Sequence, residues 1–134
     1  MAVTSIRQTV TLPVSPHEVY EALMDARIHA RFTGGGAKIS RKVGGAFSVF
    51  DGYAEGVNLE LVPDRKIVQR WRASDWPPGR YSTLTFSLTR ITGGTRLTLR
   101  QRGVPAGQVK AISDGWREFY WAPLKTMLQL RAPR

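Results

Sequence analysis

The sequence contains no cysteine. That excludes disulfides, thiol catalysis and thiolate metal sites. It also fits a reducing compartment, and we expect a cytoplasmic protein. Acidic residues are scarce: 10 Asp and Glu stand against 20 Lys and Arg, for a net charge of +10. No two carboxylates are placed as an acid–base pair. Histidine is scarcer still, with two in the chain. His17 and His29 fall on different predicted helices, so we expect two solvated surface histidines and no metal site. No apolar run reaches the ~18 residues of a membrane span. The stretch from Met1 to Leu12 has neither an apolar h-region nor a small-residue cleavage site, so we expect no secretory signal. There is no G-x-S-x-G string for a nucleophile elbow. Gly34-Gly35-Gly36-Ala37-Lys38 lacks the spacing and the following Ser or Thr of a phosphate-binding loop, and reads as a flexible turn. These absences argue against an enzyme and against a bound cofactor.

What remains suits a packed binding domain. A chain of 134 residues with 42% hydrophobic content forms one domain, residues 1–134, and can bury roughly two-thirds of its unfolded surface. The clearest periodic segment runs from Gln108 to Leu130. Val109, Ile112, Trp116, Phe119, Tyr120, Pro123, Leu124, Met127 and Leu128 recur there at three- and four-residue intervals, which is one face of a helix. Ala111 falls off that stripe. At ~1.5 Å per residue the helix is about 35 Å long, so a wide surface has to receive it. Pro123 removes one helical hydrogen bond and predicts a kink.

The rest alternates with period two. Ile6, Val10 and Leu12 mark a first half-buried strand. Ser15-Pro16-His17-Glu18 opens a short helix, with Ser15 as N-cap and Pro16 at the first position. Asp25 caps a second, ended by the glycines from Gly34. Strands are then predicted at Ala37–Arg41, Ala46–Phe50, Tyr53–Val62, Lys66–Arg72, Tyr81–Ile91 and Thr95–Arg102, with a loop from Ser74 to Arg80. Close turns such as Asp51-Gly52 make the sheet antiparallel. The expected class is α+β: a curved antiparallel sheet of about six to seven strands gripping a long C-terminal helix, with two short helices after the first strand.

Several local strings occur in a telling order. They are Gly44-Gly45-Ala46-Phe47, Asp51-Gly52 with Gly56, Val62-Pro63, Trp71-Arg72, Trp76-Pro77-Pro78-Gly79, Gly94-Thr95, Gly103-Val104-Pro105, and Gly115-Trp116 with Tyr120. Over about Ile6 to Leu128 the chain resembles the START-like, or helix-grip, superfamily. Within it, the chain is similar to the C-terminal domain of the activators of the heat-shock protein 90 ATPase. The resemblance implies a non-enzymatic, co-chaperone-like protein with a heat-shock protein 90-type chaperone or another acidic protein as partner. Eukaryotic activators carry a further N-terminal chaperone-binding domain. Because the first strand begins within a few residues of Met1, we expect that domain to be missing here.

Two side-chain constellations could carry function. The first is aromatic: Phe32, Phe47, Phe50, Trp71, Trp76, Phe86, Trp116, Phe119 and Tyr120. We expect these rings to fill the core. The alternative is a carrier or sensor that binds a small apolar molecule between sheet and helix, with Trp71, Phe86, Trp116 and Tyr120 lining the space. The second is basic. Arg70 and Arg72 on one strand, and Arg96, Arg100 and Arg102 on another, lie opposite in phase to the inward Trp71, Leu97 and Leu99. They would form an outward cationic face suited to an acidic protein. A nucleic-acid partner is disfavoured, because no binding motif is present and no aromatics interleave these arginines.

Overall fold

The computed structural model describes residues 4–131. The first three and last three positions of the expected 1–134 domain lie outside them. Strand β1 (Ser5–Leu12) leads into helices α1 (Pro16–Met24) and α2 (Ala26–Thr33). Six strands follow: β2 (Lys38–Ile39), β3 (Ala46–Val49), β4 (Ala54–Val62), β5 (Lys66–Ala73), β6 (Ser82–Ile91) and β7 (Gly94–Arg102). All seven form one antiparallel sheet in the order β1-β7-β6-β5-β4-β3-β2. The first strand thus pairs with the last, while the others follow as successive hairpins. This is the α+β helix-grip architecture that the periodicities predict.

Local chemistry sets the element ends. The Ser15 hydroxyl accepts the Glu18 amide, and Pro16 opens α1 without an amide proton to satisfy. Asp25 accepts the amides of Arg27 and Ile28 and so caps α2, which Gly34 ends at φ 77°. The predicted strand from Ala37 shrinks to Lys38–Ile39. Between Asn58 and Glu60 the register shifts, leaving Leu59 as an unpaired bulge residue that bends the strand.

The long helix, residues 109–131, has three parts: α3 (Val109–Gly115), a π-helical stretch (Trp116–Trp121) and α4 (Ala122–Arg131). Pro123 explains the middle part. It has no amide proton, and Ala122 just before it donates to Arg117, five residues back, which widens the turn. The proline therefore follows a π stretch, and this accommodation has a large effect on packing. At ~100° per residue, Trp116 and Trp121 would stand about 140° apart on an α-helix. Here both are buried, and their rings stack at 5.8 Å. Trp121 joins the core although the helical stripe omits it. Phe119, placed on the stripe by α spacing, is instead 57% exposed.

Two glutamines fasten the helix to the sheet. An indole N–H can only donate, so it fixes the amide orientation of its acceptor. Trp116 donates to Gln101 Oε1 at 2.8 Å; Gln101 Nε2 donates to the Ser82 hydroxyl, which donates to the Trp71 carbonyl. Trp121 donates to Gln8 Oε1 at 2.7 Å, and Gln8 Nε2 reaches the carbonyl and hydroxyl oxygens of Ser113. These chains satisfy polar groups that would otherwise cost stability inside an apolar core. No helix among the described residues is long and apolar enough to cross a membrane.

Candidate functional site

The rings do not fill the space between sheet and helix. A cavity of about 410 Å³ lies there, within the range of small-molecule sites. Ile67, Gln69 and Trp71 of β5, with Leu84 and Phe86 of β6, form its floor. Ile112, Trp116 and Tyr120 form its roof. Phe47, Val49 and Phe50 close one side, and Leu23 and His29 another. The expectation of a filled core is therefore corrected. Rings project from both surfaces and meet edge to face, as Phe86 and Trp116 do at 5.9 Å and 87°. Such contacts hold sheet and helix apart over the unfilled volume.

Trp71, Phe86, Trp116 and Tyr120, the four residues singled out from the sequence, all line this cavity. Trp76 does not; it packs on Trp71 from the loop after β5, at 5.4 Å. Ala111 lies off the stripe but does line the cavity, because the helix shows it at the rim. Tyr53 and Phe119 also line it and are 42% and 57% exposed, so they mark its mouth.

His29 was expected at the surface, and the structure buries it to 1% exposure. Its position on α2, three residues before Phe32, turns it toward the long helix. Its Nε2 hydrogen-bonds the Tyr120 hydroxyl, and its Nδ1 has no partner among the described residues. Burial holds the imidazole pKa down at about 4, so the ring is neutral at pH 7. Burial also pushes the Tyr120 hydroxyl up, so it keeps its proton. His17 stays at the surface, where Asp64 binds its Nδ1 at 2.9 Å and raises its pKa. The described residues contain no group of three or more acidic or histidine side chains able to hold a metal.

On the opposite face of the sheet, β6 separates β5 from β7. Arg70 and Arg102 lie in one cross-strand row, with Thr83 between them. Arg100 stands directly opposite Arg7 of β1, which joins the arginines expected on this face. Arg96 is opposite Thr11. Arg7, Arg70, Arg96, Arg100 and Arg102 are exposed, and none forms an ion pair among the described residues. Arg72 differs. Its side chain is 13% exposed, bonds the Trp76 carbonyl at 2.6 Å and pairs with Glu55 at 3.4 Å. It clamps the Trp76 loop and is withdrawn from the exposed set. Arg70 and Arg72 both stand over the Tyr81 ring, at 4.5 and 6.0 Å from its centre.

Residues 13–129 match the family described as Activator of Hsp90 ATPase homolog 1-like protein. The human activator of 90 kDa heat shock protein ATPase homolog 1 is 32% identical over 115 residues, which cover 86% of this chain and 34% of that protein. The Saccharomyces cerevisiae Hsp90 co-chaperone AHA1 is 28% identical, over 91% of this chain and 37% of its own. The chain thus spans about a third of the length of these curated relatives. Among solved structures, an HSP90 activator from Plasmodium falciparum superposes with a TM-score of 0.89 at 28% identity. That match covers 95% of this chain and 97% of the other. A protein from Chromobacterium violaceum gives 0.78 at 26% identity, over 94% and 98%. On the match across residues 13–129, this chain belongs to the Activator of Hsp90 ATPase homolog 1-like family.

Proposed function

We propose that this chain is a non-catalytic, co-chaperone-like protein that docks a heat-shock protein 90-type chaperone through the outer face of its sheet. The observation that carries this reading is the set of five exposed arginines, Arg7, Arg70, Arg96, Arg100 and Arg102, which lack ion-pair partners among the described residues. Like charges across a sheet destabilise it, and an acidic surface would offset that cost. The Plasmodium falciparum activator supports the choice of partner, because its solved chain matches this one over nearly its whole length. Binding to a heat-shock protein 90 homologue from the same source should be measured at two salt concentrations. We expect it to weaken as salt rises and to be lost in an Arg96→Glu, Arg100→Glu double variant that still folds. Binding indifferent to both changes would place the interface elsewhere.

The 410 Å³ cavity favours a second reading, in which the protein carries or senses a small apolar molecule. A native mass spectrum of freshly purified protein tests it, by the presence or absence of a retained ligand mass.

A further inference from the structure

The apolar cavity has a polar point, and its orientation is fixed by a chain of amides. Asn58, fully buried, donates through Nδ2 to the backbone carbonyls of Ser40 and Lys42, at 2.7 and 3.1 Å. Carbonyl oxygens only accept, so the Asn58 amide cannot be turned round, and its Oδ1 must face the other way. Gln69 Nε2 donates to that oxygen at 3.0 Å. The Gln69 amide is thereby fixed in turn. Its Oε1 receives no donor among the described residues and is not one of the fully buried atoms without a partner, so it opens to the cavity that Gln69, itself 7% exposed, lines. A ligand entering the cavity displaces water from that oxygen, and the acceptor then costs affinity unless the ligand itself supplies a donor.

The rest of the lining decides the charge of such a ligand. Among the described residues no lysine or arginine lines the cavity, although the chain carries a net charge of +10. The remaining titratable groups there, His29, Tyr53 and Tyr120, are uncharged at neutral pH: burial lowers the imidazole pKa and raises both phenols. A carboxylate entering this space would lose its water and gain no cation. It would also set a negative oxygen against the Gln69 carbonyl.

We infer that the cavity selects neutral, ring-sized apolar molecules bearing a hydrogen-bond donor, which docks on Gln69 Oε1, and that it rejects carboxylates of the same shape. The ring faces of Trp71, Phe86 and Trp116 would hold the apolar body. This inference rests on the cavity being a ligand site, the second reading above.

Three probes of similar shape separate the two ideas: β-naphthol, its methyl ether and β-naphthoate, each titrated into the full chain and read by quenching of tryptophan emission. One made hydrogen bond to a buried acceptor corresponds to roughly a tenfold difference in affinity. We expect β-naphthol to bind about tenfold tighter than its methyl ether, with β-naphthoate weakest of the three. In a Gln69→Leu variant the first two affinities should converge through a loss for β-naphthol alone. If that variant does not fold, the wild-type ranking still decides. Equal binding of β-naphthol and its ether in the wild type overturns the role of Gln69 while leaving the cavity as a ligand site. Binding of β-naphthoate at least as tight as that of β-naphthol overturns the charge selection. Saturable binding of none of the three overturns both this inference and the carrier reading beneath it.

Discussion

Trp116 and Gln101 meet at 2.8 Å, indole N–H to amide oxygen, and this bond spans the interface between the long helix and the sheet. The helix is therefore held in rotation as well as in depth. Apolar packing alone would tolerate sliding along the stripe, whereas one buried donor and one buried acceptor specify a single register. Trp121 with Gln8 repeats the arrangement, and the two bonds fix both ends of the π-helical stretch.

Trp116 should accordingly show a two-part stability cost. Trp116→Phe keeps much of the ring but leaves Gln101 Oε1 unpaired, and should cost about 1–3 kcal/mol. Trp116→Ala removes the ring as well and should cost about 3–5 kcal/mol. Chemical denaturation of both variants measures this. Equal small shifts in the two midpoints, at unchanged slopes, would mean that Trp116 does not anchor the helix.

Gly56 is a second point where the fold depends on one side chain, here a missing one. A Cβ at Gly56 would collide with the Arg70 carbonyl on β5 and with the Phe47 ring. The clash is with backbone, so relief requires parting two paired strands. Gly56→Ala should destabilise by at least about 2 kcal/mol. Gly107→Ala, with nothing near its would-be Cβ, is the matched control and should lie near zero. Thermal melting of the pair is sufficient to compare them.

The sheet and the helix ends were legible in the sequence because their signals are local. Leu84, Phe86 and Leu88 alternate with threonines and serine, and β6 buries them in that phase. Ser15 and Asp25 cap where cap chemistry requires. The outward phase of the arginines followed from the same parity, but the diversion of Arg72 toward the Trp76 carbonyl did not, since it depends on the path of the loop between β5 and β6. The site was less legible. A 3.6-residue period cannot represent a π-helical turn, so Trp121 went unnoticed and Phe119 was turned inward. The proximity of Pro123 to a run of aromatics was the available signal. Nor does composition distinguish rings that fill a core from rings that prop it open, because that depends on the separation of two surfaces. His29 was misplaced because a lone histidine has no partner visible in sequence; Tyr120 is 91 residues away.

His29 makes stability depend on pH in one direction. The unfolded chain takes up a proton there below about pH 6.5, while the folded protein resists protonation until about 4. The unfolded state thus binds more protons across that window. Stability is fully present above pH 6.5 and is lost as pH falls toward 4, by about 3 kcal/mol in all. His17 acts the opposite way: Asp64 raises its pKa, so its contribution is present at low pH and is lost as pH rises through the raised value. The informative comparison is wild type against His29→Gln, which share His17. Urea midpoints from pH 7 to pH 4 should fall more steeply in the wild type. Parallel profiles would mean that the ring is already charged, or is free to meet water.

The outer face offers a test in which stability and binding should move apart. Arg7 and Arg100 face each other across β1 and β7 without an intervening residue, and neither is ion-paired among the described residues. Arg7→Glu turns this like-charge pair into an opposite-charge pair. The variant should be more stable by about 0.2–1 kcal/mol at low salt, with the gain shrinking as salt screens the pair. If the face docks an acidic partner, the same change should weaken that association, mainly by slowing its formation. A merely solvated face would give the gain in stability with no loss of binding. Thermal unfolding and partner association, both measured at low and at physiological salt, distinguish the outcomes. A variant that is more stable yet binds less well would show that the unpaired arginines are retained for docking at the expense of the fold. One that loses stability would place the Arg7 and Arg100 side chains too far apart to interact.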